Sequence, residues 1–409
     1  MVINVDRDRP DAAFLAAMQA RFPLDRETEW AFTRRLQRRA DGPYRAPSRA
    51  EIGERLRTML REHLDGGFEI RDLAWLGGGG SKLQLRFTLD TERPLRGQTQ
   101  RVLVLRMEPA ESLNPSSRQS EAEALQVLAG VLPVPEVYWV DREGRWLGEP
   151  ALIYSFCTGV AKPRSFSNQR VTGLGTNYGP LRDTLAQQFV DALARLHRLD
   201  LRGHRLDHFD RPGIGSTQAA RWALNRAARC WEEDRAAPVP LMALAQSWLE
   251  GHLPALDHAS LIHGDYRSGN FLFDEASGQI TAILDWERCA LGDRHRDLAW
   301  ATSEAIGHYA EDGRTLLVCG LLPLEDFLHR YEQASGWPVD PVRLRFYTVL
   351  SRYQQAVTVL ATGYRVVRLR RSHQDVLLSR IEAAAYVLME ELRRTLGQAL
   401  AADDEAAHG

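Results

Sequence analysis

The stretch KLQLRFTLD sets apolar side chains at Leu83, Leu85, Phe87 and Leu89 against polar ones at Gln84, Arg86 and Thr88. A period of two sends alternate side chains to opposite faces, so it predicts a half-buried strand. FEIRDLAWL precedes it, and RVLVLRM (Arg101–Met107) follows across a turn-rich link as a third strand. VPEVYWVD and PALIYSF read as two more, and SEAEALQVLAG as a short helix that stops at Gly130. SRAEIGERLRTMLREHL predicts a helix entered through Ser48, with Glu51 three residues on completing a capping box. Residues 51–155 therefore predict an antiparallel sheet with a helix inserted.

Beyond about residue 180 the apolar period lengthens to that of amphipathic helices. LAQQFVDALARLHRLDL is one, and the tail from Arg343 to Leu396 reads as long helix. The terminal AADDEAAHG is expected to fray. Residues 1–50 read as two polar helices, DAAFLAAMQARF and RETEWAFTRRLQRRA, closed by DGPYRAPS: an extension expected to dock on the rest.

One island breaks the helical half: LIHGDYRSGNFLFDEASGQITAILDWE. NFLFD and ITAILDW are strand-like runs joined by the turn EASG. A hairpin brings its ends together, so Asn270 and Asp285 should meet, with Asp265 close by. Carboxylate and amide oxygens suit Mg²⁺, which completes its shell with phosphate and water.

The composition narrows the picture. The chain has 409 residues, 44% hydrophobic and 26% charged, enough for two or three packed units. A net charge of -2 gives no sign of nucleic-acid binding. No apolar run reaches the ~20 residues of a membrane span, and the N-terminus lacks a signal-peptide core, so a cytoplasmic protein is expected. Four scattered cysteines suggest free thiols and no zinc site. Lysine occurs only at Lys82 and Lys162.

Two further elements bear on phosphate. GGGGSK, between two strands, would let the backbone approach an anion, although it is no Walker loop. Arg106 lies on the strand face of Val102 and Val104, where a buried cation needs a partner. Glu121 on the following helix is the natural one. Lys82, beside the glycines, reads as an exposed strand-start lysine.

Sheet with Gly-rich turn, strand cation, helix glutamate, Asp-x₄-Asn loop, hairpin, Asp: this order is the protein-kinase-like plan. HGDYRSGN, ILDWE and GDRHRDLAW together resemble the aminoglycoside phosphotransferase and choline kinase family, in particular the branch found fused to acyl-CoA dehydrogenases. The resemblance covers roughly residues 70–390. It implies an α+β, bilobal fold: a nucleotide-binding sheet lobe over 51–155 and a helical lobe over 156–409 carrying the catalytic loop and acceptor site.

It also implies roles. Asp265 matches the catalytic base that orients the acceptor hydroxyl, and Asn270 and Asp285 match the Mg²⁺ ligands. Glu121 matches the glutamate that holds the phosphate-binding cation, here Arg106 where the family often has lysine. Gly78, Gly79, Gly80 and Ser81 would cover the phosphates of ATP. Ser155, Phe156 and Cys157 would be the hinge that pairs with adenine. His263 would brace the loop, while Tyr266, Arg267 and Ser268 would face the acceptor.

Several polar residues read as structural. HRD at His295–Asp297 lacks an asparagine five residues on and is a decoy; Asp293 and Asp297 should tie this segment to the catalytic loop and cap the helix that begins DLAW. His197 reads as a core histidine. Trp286 should pack, and Glu287 either packs or touches the metal's water shell. The expected activity is ATP- and Mg²⁺-dependent phosphorylation of a small-molecule alcohol. An acid cluster suited to a polycation is absent from the C-terminal half, where Arg365, Arg368, Arg370 and Arg371 stand out. This favours a hydroxyacyl-CoA over an aminoglycoside or other antibiotic. A nucleotide-binding pseudokinase scaffold is the non-enzymatic alternative. A protein kinase is disfavoured because no APE-like segment follows DWE.

Overall fold

The computed structural model describes residues 6–40, 45–77, 81–164, 175–370 and 382–408. In chain order its first elements are α1 (Ala12–Arg21), α2 (Arg26–Ala40) and α3 (Arg49–His63), then β1 (Phe68–Trp75), β2 (Leu83–Leu95) and β3 (Gln98–Met107). α4 (Arg118–Leu128), β4 (Val137–Asp141) and β5 (Ala151–Ser155) complete the first lobe. The five strands form one antiparallel sheet in the order β1-β2-β3-β5-β4. Leu83, Leu85, Phe87 and Leu89 of β2 and Leu103, Leu105 and Met107 of β3 pack on Ile52, Leu56, Met59 and Leu60 of α3. The opposite face carries Gln84 beside Arg106 and turns toward the second lobe. Ser48 and Glu51 form the predicted capping box.

The second lobe contains α5 (Arg182–His197), α6 (Gln218–Asp234), α7 (Pro240–Gly251), β6 (Ser260–Ile262), β7 (Phe271–Phe273) and β8 (Ile280–Ile283). β9 (Ala290–Gly292), α8 (His295–Ala301), α9 (Leu324–Ser335), α10 (Pro341–Val357), α11 (Tyr364–Leu369) and α12 (Ala385–His408) follow. β7 and β8 make the predicted hairpin, and β6 pairs with β9. This α+β, protein-kinase-like bilobal arrangement is the expected fold class. Among the described residues no helix is long and apolar enough to cross a membrane.

Three details depart from expectation. The tail is not one continuous helix, because a π-helical turn at Thr358–Gly363 separates α10 from α11. The C-terminus does not fray before His408: the Trp248 indole donates to Asp403 Oδ2 at 2.7 Å and anchors α12. Arg365 and Arg368 serve no acceptor, since both bind Asp8 near the N-terminus; Arg371 lies outside the described residues.

The polar extension is fastened to both lobes. Phe14, Met18, Phe22 and Leu36 pack against Ala228 of α6. Arg35 pairs with Glu233 (2.6 Å) and Asp234 (3.0 Å) of that helix. Arg39 pairs with Asp234 and with Glu111 of the first lobe, all of them buried.

Candidate active site

The catalytic-loop segment starts where β6 ends. Gly264 has φ +79°, and a Cβ there would stand 2.4 Å from the Arg288 carbonyl oxygen, so the loop's entry requires glycine. Asp297 holds this turn from below: its carboxylate accepts the His263 and Gly264 N–H groups, both at 2.7 Å. His197 Nε2 lies 3.2 Å from the same carboxylate, and its Nδ1 lies 2.8 Å from the Tyr331 hydroxyl. Burial holds His197 below its ordinary value, with Asp297 acting the other way. His263 accepts the Asp265 N–H at Nδ1 (3.2 Å), and its Nε2 faces the Leu284 carbonyl at 2.9 Å. Within the HRD tripeptide, His295 and Asp297 are thus scaffolding. α8 starts at His295, two residues before DLAW, and Asp293 Oδ1 accepts the His295 N–H at 3.0 Å.

The loop presents Asp265 with its side chain fixed on three sides. Oδ1 accepts from the Trp300 indole (2.6 Å) and from Arg267 Nε (3.0 Å). Oδ2 accepts from Asn270 Nδ2 at 2.8 Å. Asn270 opens β7, and its backbone oxygen accepts the Leu284 N–H at 2.7 Å, one residue before Asp285. The hairpin therefore brings Asp265, Asn270 and Asp285 to one place. Asp285 has φ +68°, a left-handed conformation a non-glycine residue adopts at a cost of about 1–3 kcal/mol.

From the sheet, Arg106 reaches across the lobes. One of its nitrogens contacts both Asp285 Oδ1 and Glu287 Oε2, the latter at 2.6 Å. Glu121 Oε1 is 3.7 Å from Arg106 Nε and is shared with Arg118, so the expected partner is present but is not the tightest. Burial would discharge Arg106; Glu121, Asp285 and Glu287 instead hold it well above its usual value. Trp286 packs against His263, with ring centroids 4.5 Å apart.

Glu287 is the residue that sequence reasoning weighted least. It pairs with Arg106, accepts from the Ser81 hydroxyl (3.0 Å) and Asn114 Nδ2 (2.9 Å), and lies 3.2 Å from Lys82 Nζ. Burial opposes its ionisation, yet Lys82, Arg106 and Arg118 hold its carboxyl well below the usual range. Lys82 is correspondingly no exposed lysine. It is 1% exposed and also binds Glu108 (3.1 Å), the Ser112 hydroxyl (2.9 Å) and the Asn114 carbonyl (2.8 Å). A signal was present: Lys82 shares the strand face of Gln84 and Arg86, which the pairing with β3 turns toward Arg106.

The remaining predicted residues divide. Gly78, Gly79 and Gly80 lie outside the described residues; Ser81, at their end, meets Glu287. At the hinge the Phe156 N–H donates to Val102 O at 3.0 Å, and the Glu136 N–H donates to the Ser155 hydroxyl at 2.9 Å. Burial raises the Cys157 thiol above its ordinary value. Tyr266 and Ser268 do not face an acceptor. Tyr266 is buried with its hydroxyl on Phe189 O (2.7 Å), and Ser268 is fully buried. Only Arg267 of the three stands beside Asp265.

Residues 88–347 match the family model described as the phosphotransferase enzyme family, APH. The chain belongs to this family. Its curated relatives include acyl-CoA dehydrogenase family member 10 of Mus musculus, 30% identical over 49% of this chain and 18% of that protein. Acyl-CoA dehydrogenase family member 11 of Homo sapiens is 25% identical over 67% and 35% respectively. The chain thus spans about a third or less of the length of these relatives. Among solved structures, a Ralstonia eutropha JMP134 protein assigned as an aminoglycoside phosphotransferase superposes with TM-score 0.61 at 21% identity, over 85% of this chain and 98% of that one. A type I macrolide 2'-phosphotransferase gives 0.52 at 20% identity, covering 84% and 99%. A Plasmodium vivax ethanolamine kinase gives 0.51 at 13%, covering 82% and 85%. These likenesses establish the shared fold.

Proposed function

We propose that this phosphotransferase moves the γ-phosphoryl group of ATP to the hydroxyl of a small-molecule alcohol. One observation carries the reading: a single hairpin and its leading loop place Asp265, Asn270 and Asp285 together, with the Asn270 amide nitrogen turned to Asp265. That orientation leaves Asn270 Oδ1 without a donor among the described residues. An amide oxygen and a carboxylate on adjoining ends of one hairpin are the hard-oxygen set that Mg²⁺ takes. Asn270 and Asp285 would hold the ion, which when bound neutralises charge on the nucleotide phosphates.

Asp265 orients the acceptor hydroxyl and accepts its proton as the phosphoryl group transfers. Phosphoryl transfer demands positioning and charge compensation more than a strong base. The three donors around Asp265 supply that positioning. Arg106 compensates charge from the sheet side, in the role a lysine often fills; one of its guanidinium nitrogens bridges Asp285 and Glu287. Ser81 faces the phosphates, and Ser155 to Cys157 meet the adenine.

The finer reading is a hydroxyacyl-CoA acceptor, supported by the similarity to parts of acyl-CoA dehydrogenase family members 10 and 11. The test is ATP turnover with Mg²⁺ against hydroxyacyl-CoAs, aminoglycosides, macrolides and amino alcohols. Turnover with a hydroxyacyl-CoA is expected. Turnover with an antibiotic alone would overturn the acceptor assignment, and nucleotide binding without turnover across the panel would favour a scaffold.

A further inference from the structure

Three arginines from three elements lie near one another, none with a carboxylate in ion-pair distance among the described residues, and one of them, Arg288, adjoins the Asp265 loop. They are Arg226 of α6, Arg288 just after Asp285, and Arg296 in the first turn of α8. Among the described residues, neither Arg288 nor Arg296 has a carboxylate within ion-pair distance. Arg288 Nε and Arg296 Nη2 are sealed from solvent with no hydrogen-bond partner. Arg226 meets neutral acceptors only: Asn114 Oδ1 (2.7 Å), Pro115 O (2.8 Å) and the Thr28 hydroxyl (3.3 Å).

Arg226, Arg288 and Arg296 are half-buried, and the fully buried arginines of the molecule are handled differently. Arg35, Arg39, Arg118 and Arg229 are buried, and each sits on one or more carboxylates. An unpaired buried cation is costly, and neighbouring cations add repulsion. Burial, and then Arg288 and Arg226, hold Arg296 down at about 10. Burial lowers Arg288 too, with Asp265 opposing and Arg226 adding to it.

The place is as telling as the charge. The Arg288 guanidinium lies 4.5 Å from the Trp300 ring centroid, and that indole holds Asp265 Oδ1. Arg226 and Arg296 line one small solvent-connected cleft of about 50 Å³. Five carboxylates share its wall: Glu27 is engaged by Arg142 and Ser117, Glu287 by Arg106, Asp293 by His295 and Arg343, and Asp210 by Arg26, while Asp25 accepts the Thr28 N–H.

We propose that Arg226, Arg288 and Arg296 form an oxyanion-binding subsite that receives a carboxylate or phosphate group borne by the acceptor. Guanidinium groups suit this role because their N–H forks match both oxyanions. Placing the anion on the acceptor rests on the function proposed above; the oxyanion site itself does not.

The test begins with inorganic phosphate titrated calorimetrically into the full chain loaded with AMP-PNP and Mg²⁺, which fills the nucleotide site. One saturable site is expected, weakened at least about tenfold in Arg288→Gln/Arg296→Gln. The ligand-free double variant should melt no lower than the wild type, because repulsion between neighbouring cations has been relieved. A structural cluster would predict a fall. Arg296→Gln alone gives the same comparison should the double variant fail to fold. Absence of saturable phosphate binding, or equal binding by wild type and variant, would overturn the subsite. The second arm compares a carboxylate-bearing acceptor with its amide. The variants should raise KM for the carboxylate alone at unchanged kcat, and an equal rise for both would return the site to free anions. Absence of any phosphoryl transfer would sink the functional reading and leave the phosphate titration intact.

Discussion

Trp300 reaches Asp265 from 35 residues downstream, and its indole N–H is one of three donors that fix the carboxylate. Trp300→Phe keeps the ring and removes only that donor. Steady-state kinetics should show kcat reduced about tenfold with the KM for ATP unchanged; unchanged turnover would remove Trp300 from the positioning set. Arg106 is tied to Glu121, Asp285 and Glu287 at once. Arg106→Ala would remove the cation shared by all three and cost about 3–5 kcal/mol in urea denaturation. The sequence made the Asp265, Asn270 and Asp285 grouping legible because one short hairpin dictates it. Lys82 was only half legible: its place on the face of Gln84 and Arg86 pointed inward, but its partner Glu287 belongs to the other lobe. Tyr266 and Ser268 were misplaced because adjacent loop residues point opposite ways, and only the packed fold shows which way is inward.

At the scale of elements, local signals carried far. The alternation in β2 fixed its buried face, and the Ser48–Glu51 box fixed the start of α3. α2 escaped such reading. Outside Trp30, Phe32 and Leu36 it is strongly polar, which ordinarily marks a mostly solvated helix, yet Arg35 and Arg39 are buried in carboxylates from both lobes. Arg39→Leu should leave Glu111 and Asp234 without that cation and lower stability by about 3–5 kcal/mol, read by chemical denaturation. A loss below 1 kcal/mol would make the extension an accessory. The tail shows the converse limit: one amphipathic run hid a π-helical turn, and a polar terminus that was expected to fray is pinned through Asp403.

For the whole molecule, the order of motifs along the chain was enough to read the lobes, because each motif of this fold occupies a fixed place between them. Stability should depend on pH through the buried support of the catalytic loop. His197 is held below its ordinary value, so the folded state binds fewer protons there than the unfolded chain does. Its contribution is complete above the unfolded value, about 6.5, and falls as pH drops below it. Asp297 is also held below its ordinary value, with burial opposing and His197 lowering it, and adds a second loss below about pH 4. Melting temperatures across pH 8 to 5 should therefore fall from about 6.5 downward, and His197→Gln should flatten that slope; a slope identical in both proteins would exclude His197. The central claim, that Asp265 orients an alcohol for phosphoryl transfer, is tested most directly by single-turnover transfer of labelled phosphate from ATP to an alcohol acceptor. Asp265→Ala, with nucleotide binding retained, should lose about 10²–10⁴ in rate. Transfer at the wild-type rate by this variant would contradict the account.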